Sequence, residues 1–248
     1  MKKVYFLSDF HLGVPDNNSS LERERVICRF LNEIKDDAEE IFLVGDIFDM
    51  WFEYKTVIPK GFVRLLGLLA QLRDSGIKIT AFTGNHDMWM FGYFENELNI
   101  PVYRSILERE WNGKKFLIGH GDGLGPGDQG YKFIKKIFAN SFSQCLFGWI
   151  HPDIGLRIAS YFSRKSRIST GKSDTQYLGD QQEFLTMSCN EILKKTHYNY
   201  FVFGHRHLPL TINLGGTSTY INLGDWVNYF TYAVFDGTTC ELKSYLSK

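Results

Sequence analysis

The sequence predicts an α/β protein in which two β-sheets form a sandwich with helices on the outside. In the first two thirds of the chain, short apolar runs rich in Val, Ile and Phe alternate with helical patterns. The last part of the chain, residues 211–246, is predicted instead to form consecutive strands joined by tight turns. With 248 residues and 44% hydrophobic content, the chain is long enough to bury the core of one domain spanning residues 1–248.

The elements of the first part are predicted from their periodicity. VYFL, IFLV and KITAFT are continuous apolar runs, which are typical of strands buried on both faces. Between them, one helix is predicted over Ser19–Asp36, opened by a capping box at Ser19–Glu22. A second helix is predicted over Pro59–Asp74, with Pro59 in its first turn and Gly76 after its end.

Two dipeptides predict hairpins between later strands. Asn112-Gly113 separates SILEREW from KKFLI, and Asp236-Gly237 separates YFTYAVF from CELKSYL. Asn-Gly and Asp-Gly favour the two-residue turns that join antiparallel strands, because these residues tolerate positive φ. YFVF, which lies between the two hairpins, is predicted as one more buried strand.

Five predicted strands end in residues that bind metals. In an α/β fold such side chains meet at the carboxyl edge of a sheet. The set contains oxygen and imidazole donors and no thiolate, which suits Mn, Fe, Zn or Ni. Seven donors are too many for one ion and fit two, with Asp46 as the candidate bridge. The donors are Asp9, His11, Asp46, Asn85, His120, His205 and His207.

Glycine stands directly before the donor at four of these strand ends, as Gly45, Gly84, Gly119 and Gly204. Without a Cβ atom, glycine lets the backbone turn sharply and brings the ligands together. Any one of these motifs alone is weak evidence. Five such strand ends in one chain are far harder to obtain by chance.

The ordered motifs resemble those of the calcineurin-like metallophosphoesterases. The motifs are Asp9-x-His11, Gly45-Asp46, Gly84-Asn85-His86-Asp87, Gly119-His120 and Gly204-His205-x-His207. The resemblance implies a four-layer αββα fold and two divalent ions, with Mn the first candidate. It implies that one ion is held by Asp9, His11, Asp46 and His207. It implies that the other is held by Asp46, Asn85, His120 and His205.

The same resemblance implies hydrolysis of a phosphoester, with the ions activating a water and neutralising the phosphoryl oxygens. Asp46 and Asn85 act as ligands in this chemistry, and His86 would face the phosphoryl group, binding it or protonating the leaving oxygen. Asp49, Asp87 and Asp122 are candidates for orienting the ligand imidazoles from behind. The alternative for these three residues is that their carboxylates lie in turns and face solvent.

About eighty residues separate His120 from His205, which is much longer than an ordinary connection. Within them, residues 131–172 are predicted to form a helical cap. This segment has eight basic residues and one acidic residue, so it carries +7 against −7 on the rest of the chain. Ile154, Ile158 and Phe162 recur at helical spacing. Cationic, amphipathic helices favour an anionic lipid surface, with packing onto the body as the alternative.

Within the superfamily, Ser8-Asp9-x-His11-Leu12, the segment 45–51 and the basic insert resemble the UDP-2,3-diacylglucosamine hydrolases of lipid A synthesis. That resemblance implies cleavage of the pyrophosphate of an acylated sugar nucleotide, giving UMP and the lipid monophosphate, at the cytoplasmic face of the inner membrane. His86 departs from the pattern, because many members carry Arg there. Candidate substrate contacts in the cap are Arg157, Arg164, Ser166, Arg167 and Lys172.

The composition of the chain argues against some other classes of protein. Lys and Arg together number 28, as do Asp and Glu, so no overall charge favours nucleic acid. Four cysteines without a CxxC pair are typical of free thiols in a reducing compartment such as the cytoplasm. Strand edges in the last third are compatible with a homodimer.

Two alternative functions stay open: a metallophosphoesterase acting on another phospholipid-like or nucleotide phosphoester, and a binding scaffold without metals.

Overall fold

A computed structural model describes residues 2–124, 135–174, 177, 179 and 183–246, with the backbone alone for residues 166–174. The first six strands are β1 Lys3–Leu7, β2 Ala38–Val44, β3 Lys78–Phe82, β4 Val102–Tyr103, β5 Leu107–Trp111 and β6 Lys114–Gly119. The later strands are β7 Tyr200–Phe203, β8 Pro209–Gly215, β9 Ser218–Leu223, β10 Thr231–Phe235 and β11 Cys240–Ser244. The helices are α1 Asn17–Ile34, α2 Val63–Asp74, α3 Tyr93–Leu98, α4 Ser141–Gly148, α5 Pro152–Asp174 and α6 Phe184–Leu193. Residues 135–139 are also helical.

The strands form two mixed sheets that pack face to face. The first has the order β11-β10-β1-β2-β3-β4 and the second the order β5-β6-β7-β9-β8. Phe6, Phe42 and Phe82 of the first sheet form one buried cluster with Phe116 and Val202 of the second. Helices α1 and α2 cover the outer face of the first sheet, and α6 covers the outer face of the second. The predicted four-layer αββα sandwich is therefore confirmed.

The first helix begins earlier than predicted. The predicted start at Ser19 is wrong, because the carboxylate of Asp16 accepts hydrogen bonds from the backbone amides of Asn18 and Ser19. Aspartate satisfies the free amides of a first turn well, so the helix starts at Asn17. It ends at Ile34, two residues before the predicted end.

The second helix begins later than predicted, at Val63 instead of Pro59. Phe62 directly before it has a left-handed backbone, with φ of 58°, and cannot continue a helix toward Pro59. The free amides of the first turn are satisfied from the neighbouring helix, because Glu24 of α1 accepts those of Arg64 and Leu65. The predicted end of this helix at Asp74, before Gly76, is confirmed.

Both predicted hairpins are present, and the last third contains one crossover. Strands β5 and β6 pair around Asn112-Gly113, and β10 and β11 pair around Asp236-Gly237. Although β9 and β10 are consecutive in the chain, β9 pairs with β7 in the second sheet and β10 pairs with β1 in the first. The connection between them, residues 224–230, therefore passes from one sheet to the other.

The strands end together at one edge of the sandwich. In the first sheet β1, β2 and β3 are parallel, and Val44 pairs with Phe82 at their carboxyl ends. In the second sheet β6, β7 and β9 are parallel, and Gly119, Phe203 and Asn222 lie side by side. The loops after all six strands therefore converge on one region between the two sheets.

Within the predicted cap segment, the described residues 135–172 form helices that lie on this region, and residues 131–134 lie outside the described part of the chain. Phe147 of α4 packs on Phe52 and Trp89 of the body, at ring-centroid distances of 4.7 and 4.8 Å. The indole nitrogen of Trp89 donates a hydrogen bond to the carbonyl oxygen of Phe138 at 2.8 Å. Across the described ranges, every helix is too short or too polar to span a lipid bilayer.

Candidate metal centre

One group of donors surrounds His11. Its Nε2 atom lies 3.5 Å from Asp9 Oδ1 and 3.6 Å from Asp46 Oδ2. His207 completes the group, with Nε2 3.6 Å from Asp9 Oδ1 and its ring stacked on that of His11. The loops after β1, β2 and β7 thus place four donors side by side.

A second group adjoins the first through Asp46. The Nε2 atom of His120 lies 3.4 Å from Asp46 Oδ2 and 3.2 Å from the side-chain oxygen of Asn85. The same oxygen of Asn85 lies 2.9 Å from His205 Nδ1. Asp46 Oδ2 therefore neighbours both groups, as a bridging carboxylate must.

The spacing and burial of these atoms fit bound cations. Two donors that each lie about 2.0–2.2 Å from an ion lie roughly 3.0–3.6 Å from one another. Asp9 Oδ1, Asp46 Oδ2 and both ring nitrogens of His11 are buried, yet they have no hydrogen-bond partner within the described part of the chain. Buried polar atoms without partners are costly, so cations at this place would satisfy them. The donor set fits two divalent ions.

Most of the donors have an unusual backbone conformation. Asp9, His11, Asp46, His205 and His207 have φ values of 58°, 43°, 52°, 70° and 49°. Residues with side chains rarely adopt this left-handed region, at a cost of about 1–3 kcal/mol each. Such strain persists where surrounding structure enforces it, which occurs mostly at functional sites.

One helix supports the first of these strained loops. Arg23 of α1 is buried, and its guanidinium donates to the backbone carbonyl oxygens of Phe10, His11 and Val14 at 2.5–2.7 Å. These bonds tie the loop after β1 to the helix and hold its unusual path. The position of His11 therefore depends on a residue twelve positions later in the chain.

The predicted need for glycine has a specific cause at three positions. A Cβ on Gly84 would lie 2.1 Å from Asp46 Oδ1, and a Cβ on Gly204 would lie 2.5 Å from Asp9 Oδ2. At Gly45, where φ is +83°, a Cβ would lie 2.6 Å from His120 Nδ1. These glycines let one loop touch a ligand held by another. At Gly119 a Cβ would meet Ile106 at 3.0 Å and not a ligand.

The carboxylates and imidazoles strongly shift one another's pKa values. Burial disfavours the charged form of His11, but Asp49 and Asp9 outweigh it and raise the pKa of His11 to about 10. Burial alone would raise the pKa of Asp46, yet His120 and the neighbouring imidazoles hold it well below its usual range. The site therefore attracts positive charge, and protons compete there with divalent ions.

The three aspartates predicted behind the ligands have different surroundings. Asp49 faces imidazoles, with Oδ1 3.6 Å from His11 Nδ1 and 3.7 Å from His86 Nδ1. Asp87 instead accepts backbone amides, from Ile47 and Gly84 at 2.7 Å each. It therefore ties together the loops that carry Asp46 and Asn85.

The third of these aspartates, Asp122, forms an ion pair with Lys135 of the cap. The side chain of Asp122 is 8% exposed. Burial would raise its pKa, but His120 and Lys135 lower it below its usual value. Lys135 thus links the cap to a carboxylate that interacts with the ligand His120. A basic residue of the insert therefore contributes to the electrostatic environment of the ligands.

His86 lies beside the first group of donors. Its backbone amide donates to Asp46 Oδ1 at 2.9 Å, and its ring centroid lies 4.9 Å from that of His11. Of the candidate substrate contacts, Arg157 and Arg164 are exposed on α5. The side chains of Ser166, Arg167 and Lys172 lie outside the described residues.

Sequence reasoning missed one residue next to the ligands. Asp225 is 1% exposed, and its Oδ2 lies 3.4 Å from His207 Nδ1, on the far side of the ring from Asp9. A carboxylate in this position fixes the orientation of a ligand imidazole. The signal was present, because Gly224-Asp225 follows the strand TYINL as Gly45-Asp46 follows IFLV.

The chain is similar in sequence to several known proteins. A protein of Porphyromonas gingivalis named UDP-2,3-diacylglucosamine hydrolase is 35% identical over 254 residues, covering 98% of this chain and 97% of its own. Proteins with the same name from Histophilus somni and a Shewanella species are 27% and 25% identical. These alignments cover 91% and 90% of this chain, and 93% and 89% of the relatives.

The family model of the calcineurin-like phosphoesterases matches residues 2–209, a range that includes all five motifs from Asp9 to His207. This match confirms the prediction of a metal-dependent hydrolase. The chain belongs to the calcineurin-like phosphoesterase family.

Proposed function

We propose that this protein hydrolyses the pyrophosphate bond of UDP-2,3-diacylglucosamine, giving UMP and 2,3-diacylglucosamine 1-phosphate. The observation that carries the proposal is the 35% identity to the Porphyromonas gingivalis hydrolase along nearly the whole of both chains. The geometry supports it, because the seven donors form two adjoining groups around Asp46. As one domain with an inserted cap, the chain would provide the dimetal site and a separate surface for an acylated substrate.

Two divalent ions, Mn²⁺ in our proposal, would supply Lewis-acid chemistry when bound: they acidify a water and neutralise charge on the phosphoryl oxygens. Asp9, His11, Asp46 and His207 would hold one ion. Asp46, Asn85, His120 and His205 would hold the other. His86 stands beside Asp46 and would bind the phosphoryl group or give a proton to the leaving oxygen. Asp49 and Asp225 would keep the rings of His11 and His207 in place.

The proposed substrate has acyl chains, and the cap offers an apolar surface for them. The exposed fractions of Phe142, Leu146 and Trp149 on and after α4 are 76%, 62% and 85%. Ile154 and Phe162 on α5 are 55% and 61% exposed. Large apolar side chains at this density, among lysines and arginines, suit an anionic lipid surface. We infer a peripheral location at the cytoplasmic face of the inner membrane.

The substrate is tested by UMP release from UDP-2,3-diacylglucosamine. Metal-stripped full-length protein receives Mn²⁺ back, and the Asp46→Asn variant serves as the matched control. Release should require metal, and the variant should retain the fold but less than about 1% of the rate, because both ions lose a ligand. Metal-dependent cleavage of a simple phosphodiester without UMP release from the sugar nucleotide would refute the substrate.

A second class of substrate is also distinguished by measuring UMP release. His86 stands where many UDP-2,3-diacylglucosamine hydrolases carry Arg, and an imidazole cannot grip a phosphate in the bidentate way that a guanidinium can. This favours, as the second candidate, another phospholipid-like or nucleotide phosphoester. If such an ester is turned over faster than the acylated sugar nucleotide, the second candidate replaces the first.

The lipid role of the cap is tested by reversing exposed charges. Lys136→Glu with Arg164→Glu should weaken binding to anionic liposomes and slow turnover of the acylated substrate, while a small chromogenic diester is hydrolysed as before. Lys135 is left unchanged because it pairs with Asp122 beside the ligands. Equal losses on both substrates would contradict a lipid role for these residues.

A further inference from the structure

Ser163 of α5 is a side chain of the cap that contacts residues of the active site. Its Oγ lies 2.9 Å from Asp49 Oδ2 and 2.9 Å from His86 Nδ1. A third contact joins the same oxygen to the backbone carbonyl of Asp49 at 3.3 Å. An inserted segment thus touches the two residues that flank the ligands of the second and third motifs.

The directions of these hydrogen bonds follow from the groups involved. An ionised carboxylate only accepts, so the single hydroxyl proton of Ser163 goes to Asp49 Oδ2. The lone pairs of that hydroxyl then remain for His86, whose Nδ1–H must be the donor. The backbone carbonyl of Asp49, 3.2 Å from His86 Nδ1, also only accepts. Both contacts therefore place a proton on Nδ1 of the His86 ring.

Packing holds the serine at this place. Gly155, two helical turns before Ser163, approaches the body so closely that a Cβ would lie 2.4 Å from the hydroxyl oxygen of Tyr54. The same Cβ would lie 3.2 Å from the ring of Phe147, which itself packs on the body. The helix backbone therefore rests directly on neighbouring side chains, and Ser163 projects from a docked element.

We propose that Ser163 is a positioning residue for the hydrolysis: from the cap it orients His86, so that α5 completes the active site. The proposal rests on the metal-dependent hydrolysis in the proposed function but not on the identity of the substrate. A substrate without acyl chains therefore also depends on the docked cap. The cap has a role in catalysis as well as in binding.

The kinetic test uses the full-length Mn²⁺-loaded protein and bis(4-nitrophenyl) phosphate. Ser163→Ala should lower kcat about tenfold with KM within about twofold, as expected for the loss of one hydrogen bond to an ionised group. Ser163→Thr keeps the hydroxyl and should recover most of the rate. Ser160→Ala, one turn earlier on the same helix, is the matched control and should have the wild-type rate.

A double-mutant cycle separates positioning from a structural role. If Ser163 acts through His86, Ser163→Ala should cause no further loss in a His86→Ala background. The same tenfold loss in both backgrounds would overturn the proposal.

A readout independent of turnover is the side-chain NMR signal of His86 in metal-free protein labelled at histidine. We expect Ser163→Ala to shift this signal and Ser160→Ala to leave it in place. An unchanged His86 signal in Ser163→Ala would overturn the proposal whether or not the diester is hydrolysed. Failure to release UMP would refute the substrate alone, because neither readout uses the acylated sugar nucleotide.

Discussion

Replacing Gly84 with alanine should deplete the metal centre while most of the fold survives. A Cβ there would lie 2.1 Å from Asp46 Oδ1 and 2.7 Å from both Asp46 Cγ and the Asp46 backbone nitrogen. Relaxed contacts between carbon and oxygen are roughly 3.3 Å, so the carboxylate must move by about 1 Å. Metal–ligand distances tolerate only about 0.2 Å, so Asp46 would be lost to both ions.

The size of the effect can be stated for both stability and activity. Forcing a methyl group into this space should cost about 1–3 kcal/mol of unfolding free energy, or about 2–12 °C in Tm for a chain of this size. A shift of about 1 Å in a catalytic group should reduce kcat/KM by about 10²-fold or more. The assays are thermal unfolding, bound Mn²⁺ by elemental analysis, and turnover of a chromogenic diester.

The matched control is Gly67→Ala on the exposed side of α2, where a Cβ would have no atom within 4 Å. Alanine is the better helix former by about 1 kcal/mol, so this variant should gain about 2–4 °C in Tm and keep its metal. Full Mn²⁺ content together with wild-type turnover in Gly84→Ala would refute the reasoning about close loop approach.

Two further variants test residues that hold the fifth motif. Asp225→Asn removes the charge beside His207 and should lower Mn²⁺ affinity about 10–100-fold in a calorimetric titration; unchanged affinity would mean that the carboxylate does not orient this ligand. Glu183 and Arg206 are 1% and 3% exposed and joined by two hydrogen bonds of 2.8 and 2.9 Å. Glu183→Gln removes the buried negative charge that faces this arginine and should cost about 3–5 kcal/mol, lowering Tm by about 6–20 °C. The control Glu191→Gln breaks only an exposed pair and should leave Tm within about 2 °C, and equal shifts in both variants would contradict the role of burial.

The site can be largely predicted from the sequence because its signals are local. Each donor stands within a few residues of the end of an apolar run, and parallel strands bring their carboxyl ends to one edge. Asp46 and His120 are recognisable for this reason although 74 positions separate them. Asp225 carries the same local signal at the end of β9, but what it contacts depends on a loop that crosses between sheets.

Features that depend on distant contacts could not be predicted in this way. The start of α2 at Val63 depends on Glu24 of α1, which accepts hydrogen bonds from the free amides of Arg64, forty residues later, and Leu65. The role of Asp87 depends on the loop after β2, whose amides it accepts. The separation of β9 and β10 into different sheets depends on which strand each of them pairs with. The sequences of two consecutive strands do not indicate these pairing partners.

The helix α5 shows why composition alone gives an incomplete view of the cap. Its charge and apolar spacing describe the exposed side, where Arg157, Ile158 and Phe162 lie. Gly155 and Ser163 of the same helix make contacts to the body, and neither residue type predicts a contact by itself. Deleting the cap would therefore remove the proposed lipid surface and the support of His86 together, so hydrolysis of every substrate would slow. Only substitutions of exposed residues of this helix can separate lipid recognition from catalysis, because they leave the contacts of Gly155 and Ser163 unchanged.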